Sequence, residues 1–209
     1  MARGRLSGYA DQLDLIVEHA AHLFARRGYP ATTMNQVAEA CGVSKATLYH
    51  YYRDKYALLV SIAESHVSRL QGVVDEVDAV PSLEPELRLR ELITRLVGEY
   101  AGAQDAHRVL TEDVKFLEEG DRERILGKER QVVASFARAV VALRPDLKDA
   151  AMAKPLTMLL FGMVNWMFTW VKPGGALDHA ALAPIVADLF LGGLPAVRTG
   201  HPGPTAVID

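Results

Sequence analysis

Apolar residues recur at three- and four-residue steps along almost the whole chain. In the first such segment Leu13, Ile16, Ala20 and Leu23 fall on one face of a helix. Breaks at glycine, proline or charged clusters divide the pattern into segments as far as residue 195. Since no segment alternates apolar and polar residues with β-branched side chains, no sheet is expected. The pattern predicts an all-α fold, with helices at about 11–27, 34–40, 45–52, 55–77, 86–102, 105–118, 121–143, 149–171 and 178–197.

The predicted helices near the N-terminus carry local start and stop signals. Gly28 can end the first helix, and either Thr32 or Thr33 can cap the second. Gly42 breaks the second helix, and Ser44 can cap a third that is barely two turns long. These signals predict two short helices separated by a glycine turn.

Residues 33–55, TMNQVAEACGVSKATLYHYYRDK, fit the helix-turn-helix pattern. Val37 and Ala38 are expected to face inward on its first helix, and Leu48 anchors the second to the core. Gly42 supplies the backbone freedom that the tight turn requires. The remaining positions of the second helix then face outward, where such a helix can enter a DNA major groove.

The outward positions carry side chains suited to DNA. Lys45 can reach a guanine edge or a phosphate, and Thr47 can form a hydrogen bond or touch a thymine methyl group. Tyr49, His50 and Lys55 suit phosphate contacts, which fix register rather than sequence. Thr33, at the start of the preceding helix, can offer its hydroxyl and backbone N–H to a phosphate. The predicted DNA-binding residues are Thr33, Ser44, Lys45, Thr47, Tyr49, His50 and Lys55.

The stretch GVSKATLYHYYRDK, preceded by TTMNQVAEA and by a helix ending in FARRGY, resembles the DNA-binding domain of TetR/AcrR-type transcriptional regulators. The resemblance covers about residues 11–60. It implies an all-helical homodimer that binds palindromic operator DNA, usually as a repressor, and responds to a small-molecule effector. The corresponding domains are a helix-turn-helix domain at 1–56, a ligand-binding and dimerisation domain at 57–197 and a flexible tail at 198–209.

Charge is unevenly distributed along the 209 residues. The formal net charge is −3, but residues 1–56 carry +2 and the remainder −5. Residues 1–56 are therefore the part of the chain suited to binding phosphate. Arg3 and Arg5, ahead of the predicted first helix, can form an arm along a DNA groove.

Other compositional features indicate a cytoplasmic protein. The single cysteine excludes a disulfide framework and fits a reducing compartment. The basic start lacks the apolar core of a secretory signal. The longest uncharged stretch, residues 155–171, is shorter than the ~20 apolar residues that span a bilayer. We expect no membrane association.

Residues 156–171, LTMLLFGMVNWMFTWV, are apolar on all faces of the predicted helix, which indicates burial. Large and adaptable side chains with one amide among them also suit a small-molecule pocket. The pattern of residues 156–171 fits core packing and the lining of a pocket equally well. In the resembled family the last two helices form the dimer interface, and the apolar stripe of residues 182–194 fits this role or packing within one subunit. The candidate pocket residues are Met158, Phe161, Asn165, Trp166 and Trp170.

The stretch FLEEGDRERILGKERQVVASF, followed by FGMVNWMFTWVKPGG, is more loosely similar to TetR-type regulators of fatty-acid, steroid and related CoA-thioester catabolism. This similarity implies an acyl-CoA whose chain enters the pocket while basic side chains meet its phosphates. The same mixed charges also suit a solvated helix face. The additional candidate effector residues are Phe116, Arg122, Arg124, Lys128 and Lys172.

Two alternatives compete with this interpretation. The first is an efflux-type repressor that responds to lipophilic drugs or aromatic compounds. The second, more distant, is a helical enzyme. His19 and His22 lie one helical turn apart but have no third ligand nearby in sequence, and the chain lacks a phosphate-binding loop and hydrolase motifs. The sequence predicts no catalytic residue, metal or cofactor.

Overall fold

The computed structural model describes residues 3–149, 151–171, 175 and 177–199. Every regular element in these residues is helical, which confirms the all-α prediction. The α-helices are α1 (Arg3–Arg27), α2 (Met34–Ala40), α3 (Lys45–Tyr51), α4 (Lys55–Asp78), α5 (Pro85–Gly102), α6 (Gln104–Asp113), α7 (Glu119–Leu143), α8 (Asp146–Asp149), α9 (Ala153–Asn165) and α10 (His179–Gly193). Short 3-10 helices follow α6, α9 and α10 at Val114–Phe116, Met167–Thr169 and Leu194–Ala196.

Several helix bounds differ from those predicted. The backbone is already helical at Arg3, so Arg3 and Arg5 lie within α1 rather than in an arm ahead of it. The predicted helix 105–118 stops at Asp113, where the chain tightens into a 3-10 turn. The predicted helix 149–171 is interrupted because Ala151 takes a φ of 54°, and the N–H of Met152 bonds back to Leu147.

Packing divides the chain into two compact units. The first comprises Met1–Gly72 and Glu99–Arg130, and the second comprises Val73–Gly98 and Gln131–Asp209. Residues 55–72 of α4, all of α6 and residues 119–130 of α7 therefore pack with the N-terminal helices. The predicted boundary at residue 56 separates the DNA-binding domain from the ligand-binding domain and does not coincide with the boundary of a compact unit. It stays a prediction. Most of the predicted tail, from residue 200 onward, lies outside the described residues.

The core of the first unit brings together residues from α1, α2, α3, α4 and α6. Ile16 and Phe24 of α1 are buried against the short helices, and α6 packs along α1. Burial of these aliphatic and aromatic side chains is the main stabilising contribution for the short helices, which are too short to persist alone. Further core members are Val37, Leu48, Leu59, Ile62, Val109 and Ile125.

The second unit has its own apolar core. Phe136 of α7 meets Phe161 of α9 edge to face, with 5.1 Å between the ring centroids. α9 also packs on α10. Arg144, after α7, donates hydrogen bonds to the carbonyl oxygens of Leu194 and Val197 and so fixes the end of α10.

Candidate DNA-binding site and effector region

The turn between α2 and α3 is built around Gly42, whose φ is +65°. This left-handed conformation lets the N–H of Val43 donate to the carbonyl of Ala38 at 3.0 Å, which closes the turn. Val37 on one helix and Leu48 on the other are fully buried. The turn therefore holds α3 against the core by one side and leaves its other side exposed, as the sequence predicted.

The start of α3 is fixed by Ser44. Its Oγ accepts a hydrogen bond from the N–H of Thr47 at 3.0 Å, and its hydroxyl lies 2.7 Å from that of Thr47. A serine at this position satisfies one of the free N–H groups of the first turn. Both residues are exposed, so the helix start presents two hydroxyls to the surroundings.

The exposed side of α3 carries Lys45, Tyr49 and His50. The Lys45 ammonium lies 5.8 Å from the centre of the Tyr49 ring, one helical turn away, and the ring is 43% exposed. The His50 ring packs edge-on against Tyr51. A cation, an aromatic hydroxyl and an imidazole thus project together from a helix whose opposite face is buried.

Thr33 caps α2 through a reciprocal pair of hydrogen bonds. The N–H of Gln36 donates to Thr33 Oγ1 at 3.3 Å, and the N–H of Thr33 donates to Gln36 Oε1 at 2.9 Å. The sequence left open whether Thr32 or Thr33 caps the helix, and the structure selects Thr33. The two groups predicted to meet a phosphate, the Thr33 hydroxyl and N–H, are both hydrogen-bonded to Gln36.

Lys55, predicted to contact a phosphate, is held within the protein. Its Nζ donates to the carbonyl oxygens of Tyr29 at 2.7 Å and Pro30 at 3.1 Å, and lies 4.4 Å from the centre of the Tyr29 ring. Its role in the described structure is therefore to fix the α1–α2 turn to the start of α4.

Two of the basic residues proposed for an acyl-CoA, Arg124 and Lys128, are paired with acids in the first unit. Arg124 forms ion pairs with Glu64 and Asp121, and Lys128 Nζ donates to Glu64 at 3.2 Å. The Arg124 guanidinium lowers the pKa of both carboxyl groups. The Tyr56 hydroxyl also donates to Asp121 at 2.8 Å. Arg122 is exposed, and Lys172 lies outside the described residues.

Phe116, a predicted effector residue, contacts the α1–α2 turn. Its ring centroid lies 5.3 Å from that of Tyr29, and its side chain is 38% exposed. Like Arg122, Arg124 and Lys128, it belongs to the first unit. The remaining pocket candidates belong to the second.

The second-unit candidates differ in how deeply they are buried. Phe161 is buried against Phe136, and Asn165 is half-buried. Met158, Trp166 and Trp170 lie at the surface, with Trp166 64% exposed. A helix that is apolar on all faces was expected to be buried, and the structure instead leaves part of it open.

The exposed apolar side chains of α9 and α10 follow helical spacing. Leu159 and Met163 lie on one face of α9, while Ile185 and Leu189 lie on one face of α10. Leu159 and Leu189 are each 65% exposed. Contiguous exposed apolar surface of this kind is typical of protein–protein interfaces.

A groove of about 380 Å³ lies elsewhere in the second unit, and none of the predicted effector residues lines it. Both of its arginines are paired with acids, Arg90 with Asp188 at 2.7 Å and Arg144 with Asp146 at 2.7 Å, and Glu86 adds a further carboxylate to the lining. An anionic ligand in the groove would therefore meet arginines whose charge is already neutralised by neighbouring carboxylates.

The sequence analysis missed a buried polar cluster in the first unit. His66 Nε2 of α4 lies 3.2 Å from His107 Nδ1 of α6, and Tyr100 stacks on His107 at 4.1 Å. Burial, followed by the neighbouring His107, lowers the pKa of His66 to about 3. Only the apolar periodicity of α4, which places position 66 on its inner face, signals this burial in the sequence.

Within the described residues, no three His, Cys, Asp or Glu side chains are arranged to hold a metal ion. His22, one of the two histidines considered for such a role, instead contacts Asp105 through Nδ1 at 2.8 Å. This contact joins α1 to α6.

Two family profiles match the chain. The profile described as bacterial regulatory proteins, tetR family, matches residues 16–62, and that described as tetracyclin repressor-like, C-terminal domain, matches residues 82–194. Together they cover the helix-turn-helix segment and most of the remaining helices.

Similar proteins cover nearly the whole chain. A TetR-family regulator from Bordetella parapertussis 12822 is 35% identical, with a TM-score of 0.81 over 90% of this chain and 98% of its own. The HTH-type transcriptional repressor KstR2 of Rhodococcus jostii (strain RHA1) is 25% identical over 90% of this chain and 93% of its own. AibR in complex with isovaleryl coenzyme A and operator DNA shares the fold, with 24% identity and a TM-score of 0.71 over 85% and 97%. The chain belongs to the TetR family of DNA-binding transcriptional regulators, which are not enzymes.

Proposed function

We propose that the protein is a dimeric repressor that binds a palindromic operator and is released by a small-molecule effector. The observation that carries this proposal is the geometry of α3. Leu48 is fully buried on one side of the helix, while Ser44, Lys45 and Tyr49 are exposed on the other. A helix held in this way can enter the major groove with its N-terminal residues at the base edges.

Each exposed residue has a proposed role. Lys45 and Thr47 read base edges, with Ser44 supporting Thr47 through their shared hydroxyl contact. Tyr49 and His50 contact phosphates. Thr33 and Lys55 contribute phosphate contacts only when they leave their partners within the protein.

The proposed dimer uses the exposed apolar faces of α9 and α10. Leu159 and Leu189 would become buried against a second copy, and two helices from each subunit would form a four-helix interface. The stretch His179–Ala196 is long and apolar enough to cross a membrane by length and composition alone. We assign it to the dimer, and propose that the protein acts in the cytoplasm, where its operator is accessible.

The proposed effector is an acyl-CoA of fatty-acid or steroid catabolism. Its supports are the exposed Arg122 beside Arg124 and Lys128, and the solved complex of AibR, in which this fold accommodates isovaleryl coenzyme A and operator DNA. Phosphates of a bound CoA would compete with Glu64 and Asp121 for the basic side chains. Such competition would loosen the ion pairs between α4 and α7.

A gel-shift titration tests operator binding directly, using DNA that flanks the protein's own gene. Wild-type protein is expected to shift this DNA with an affinity that falls steeply with salt, since phosphate contacts release counterions. Absence of any shift at low salt, with folded dimeric protein, would contradict the regulator proposal.

The variants Lys45→Ala and Tyr49→Ala test the assignment of α3. Each is expected to weaken operator binding by about 1–3 kcal/mol. Lys148→Ala, which removes the same charge at an exposed site in the second unit, is the matched control. Equal affinity of Lys45→Ala, Lys148→Ala and wild type would refute the assignment.

Thermal stabilisation tests the effector class. Isovaleryl-CoA and longer acyl-CoA esters are expected to raise the melting temperature, while the corresponding free acids are not. Lipophilic cations are the comparison probe for the efflux alternative. Stabilisation by the cations alone would replace the acyl-CoA proposal with that alternative and leave operator binding unaffected.

A further inference from the structure

Tyr29, in the turn between α1 and α2, is held by side chains from three directions. Its ring centroid lies 5.3 Å from that of Phe24 in α1 and 5.3 Å from that of Phe116 after α6. The Lys55 ammonium at the start of α4 lies 4.4 Å from the ring centre. All four residues belong to the first unit.

The backbone of Tyr29 is held as well. Its carbonyl oxygen accepts a hydrogen bond from Lys55 Nζ at 2.7 Å, and the carbonyl oxygen of the next residue, Pro30, accepts from the same ammonium at 3.1 Å. Asp113 is the last residue of α6 and is 7% exposed. Burial raises the pKa of the Asp113 carboxyl group, and the nearby backbone of Tyr29 partly offsets this rise.

The turn that contains Tyr29 sets where α2 begins. Thr32 is 1% exposed and donates from Oγ1 to the carbonyl of Gly28 at 3.0 Å, which closes the turn behind Tyr29. Thr33, the next residue, caps α2. Since α3 is joined to α2 by a short closed turn, a displacement of Tyr29 is transmitted to the exposed face of α3.

We propose that Tyr29 is a positioning residue through which the C-terminal end of α6 and its 3-10 turn hold the DNA-binding helices in place. Phe116 contacts the ring of Tyr29 from the α6 side, while Lys55 fixes its carbonyl from α4. The contacts of Tyr29 therefore link α6 to the DNA-binding helices independently of the covalent connection through α4. The inference rests on the proposed operator binding, and it gives Phe116 a role distinct from lining an effector pocket.

The test is the variant Phe116→Ala, which removes a partly exposed ring, whereas Tyr29→Ala would also disturb Phe24 in the core. Operator affinity is expected to fall roughly 2- to 30-fold. The slope of affinity against salt is expected to stay as in wild type, because no phosphate contact is lost. Amide hydrogen exchange is expected to rise locally within residues 30–40.

Two controls accompany this variant. Phe116→Tyr keeps the ring and is expected to restore both affinity and exchange protection. Leu15→Ala removes an apolar side chain of nearly equal exposure, 39%, from α1 of the same unit and is expected to behave as wild type.

Three outcomes would overturn the inference. These are unchanged exchange in residues 30–40, unchanged operator affinity while Lys45→Ala still weakens binding, and a reduced salt slope, which would show that the variant loses a cationic phosphate contact. Hydrogen exchange needs no DNA, so this arm still decides the inference if the protein binds no operator. Failure of the wild type to bind DNA would instead count against the proposed function.

Discussion

At the scale of single residues, the helix-turn-helix depends on side chains that satisfy backbone groups. Ser44 supplies the acceptor for the N–H of Thr47, and Asp54 accepts from the N–H of Ala57 at 2.7 Å to begin α4. Such bonds join residues three apart, so the sequence alone predicts them. The same serine hydroxyl lies on the proposed DNA-facing surface.

Replacing Ser44 by alanine is expected to destabilise the fold by about 1 kcal/mol, because an N–H of the first turn of α3 loses its partner. For a chain of this size the melting temperature should fall by about 2–4 °C. Differential scanning calorimetry measures the change. Ser44→Asn, which retains an acceptor, is the control, and identical melting of all three proteins would contradict a capping role.

His66 makes stability depend on pH. Its folded-state pKa is about 3 against an ordinary value of 6.5, so the unfolded chain binds a proton between these values that the folded chain does not. The contribution is therefore fully present above pH 6.5 and is lost as the pH falls. The loss at pH 5 amounts to about 2 kcal/mol relative to pH 7.

The variant His66→Gln tests this dependence. The difference in unfolding free energy between wild type and His66→Gln should change by about 2 kcal/mol between pH 7 and pH 5, with the wild type losing more. Urea unfolding at both values gives the measurement, and the exposed His50→Gln is the control. Parallel curves for wild type and His66→Gln would contradict the burial of a neutral imidazole.

At the scale of elements, α9 and α10 each combine a buried face with an exposed apolar face. Leu160 of α9 is fully buried, whereas the adjacent Leu159 is 65% exposed. A helix with apolar residues on both faces needs two partners, and packing within one subunit supplies only the first. The sequence analysis left core, pocket and dimer roles open because hydrophobicity does not distinguish the partners.

Placing a charge on this face is expected to separate the dimer. Leu189→Arg would put an arginine in the proposed interface, from which water would be excluded, whereas Leu87→Arg places it on α5 at a side chain that is 51% exposed. Multi-angle light scattering should show a dimer for wild type and Leu87→Arg, and a monomer for Leu189→Arg. A dimeric Leu189→Arg would place the interface elsewhere.

The elements also mark the limit of sequence-based prediction. The bounds of α2 and the start of α3 follow from Thr33, Gly42 and Ser44, whose effects are local. The pairing of Arg124 and Lys128 with Glu64 joins positions about 60 residues apart, so no local pattern indicates it. The predicted all-α class and family membership are confirmed, whereas the predicted effector residues remain a prediction.

At the scale of the whole molecule, the proposed dimer must match the spacing of its operator. Two recognition helices reach successive major grooves only when they are about 34–36 Å apart or a multiple of this distance. By linkage, an effector that favours another spacing weakens DNA binding, and DNA weakens effector binding equally.

Once the gel shift has located the operator, operators with altered half-site spacing test whether the dimer holds its two recognition helices at a fixed distance. Inserting 5 base pairs between the half-sites turns them to opposite faces of the duplex, and inserting 10 restores the face but adds about 34 Å. We expect both insertions to reduce affinity to that of a single half-site. Unchanged binding to either operator would indicate half-sites bound independently.

Gly42 adopts a left-handed backbone conformation, whereas L-amino acids favour right-handed ones. Its φ of +65° disfavours any L side chain, yet the space where a Cβ would stand is open, with no neighbouring atom within 4 Å. The constraint at this position is therefore chirality and not volume. A D-alanine introduced there by chemical synthesis would favour this φ and restrict the unfolded chain, whereas L-alanine would strain the backbone that presents α3.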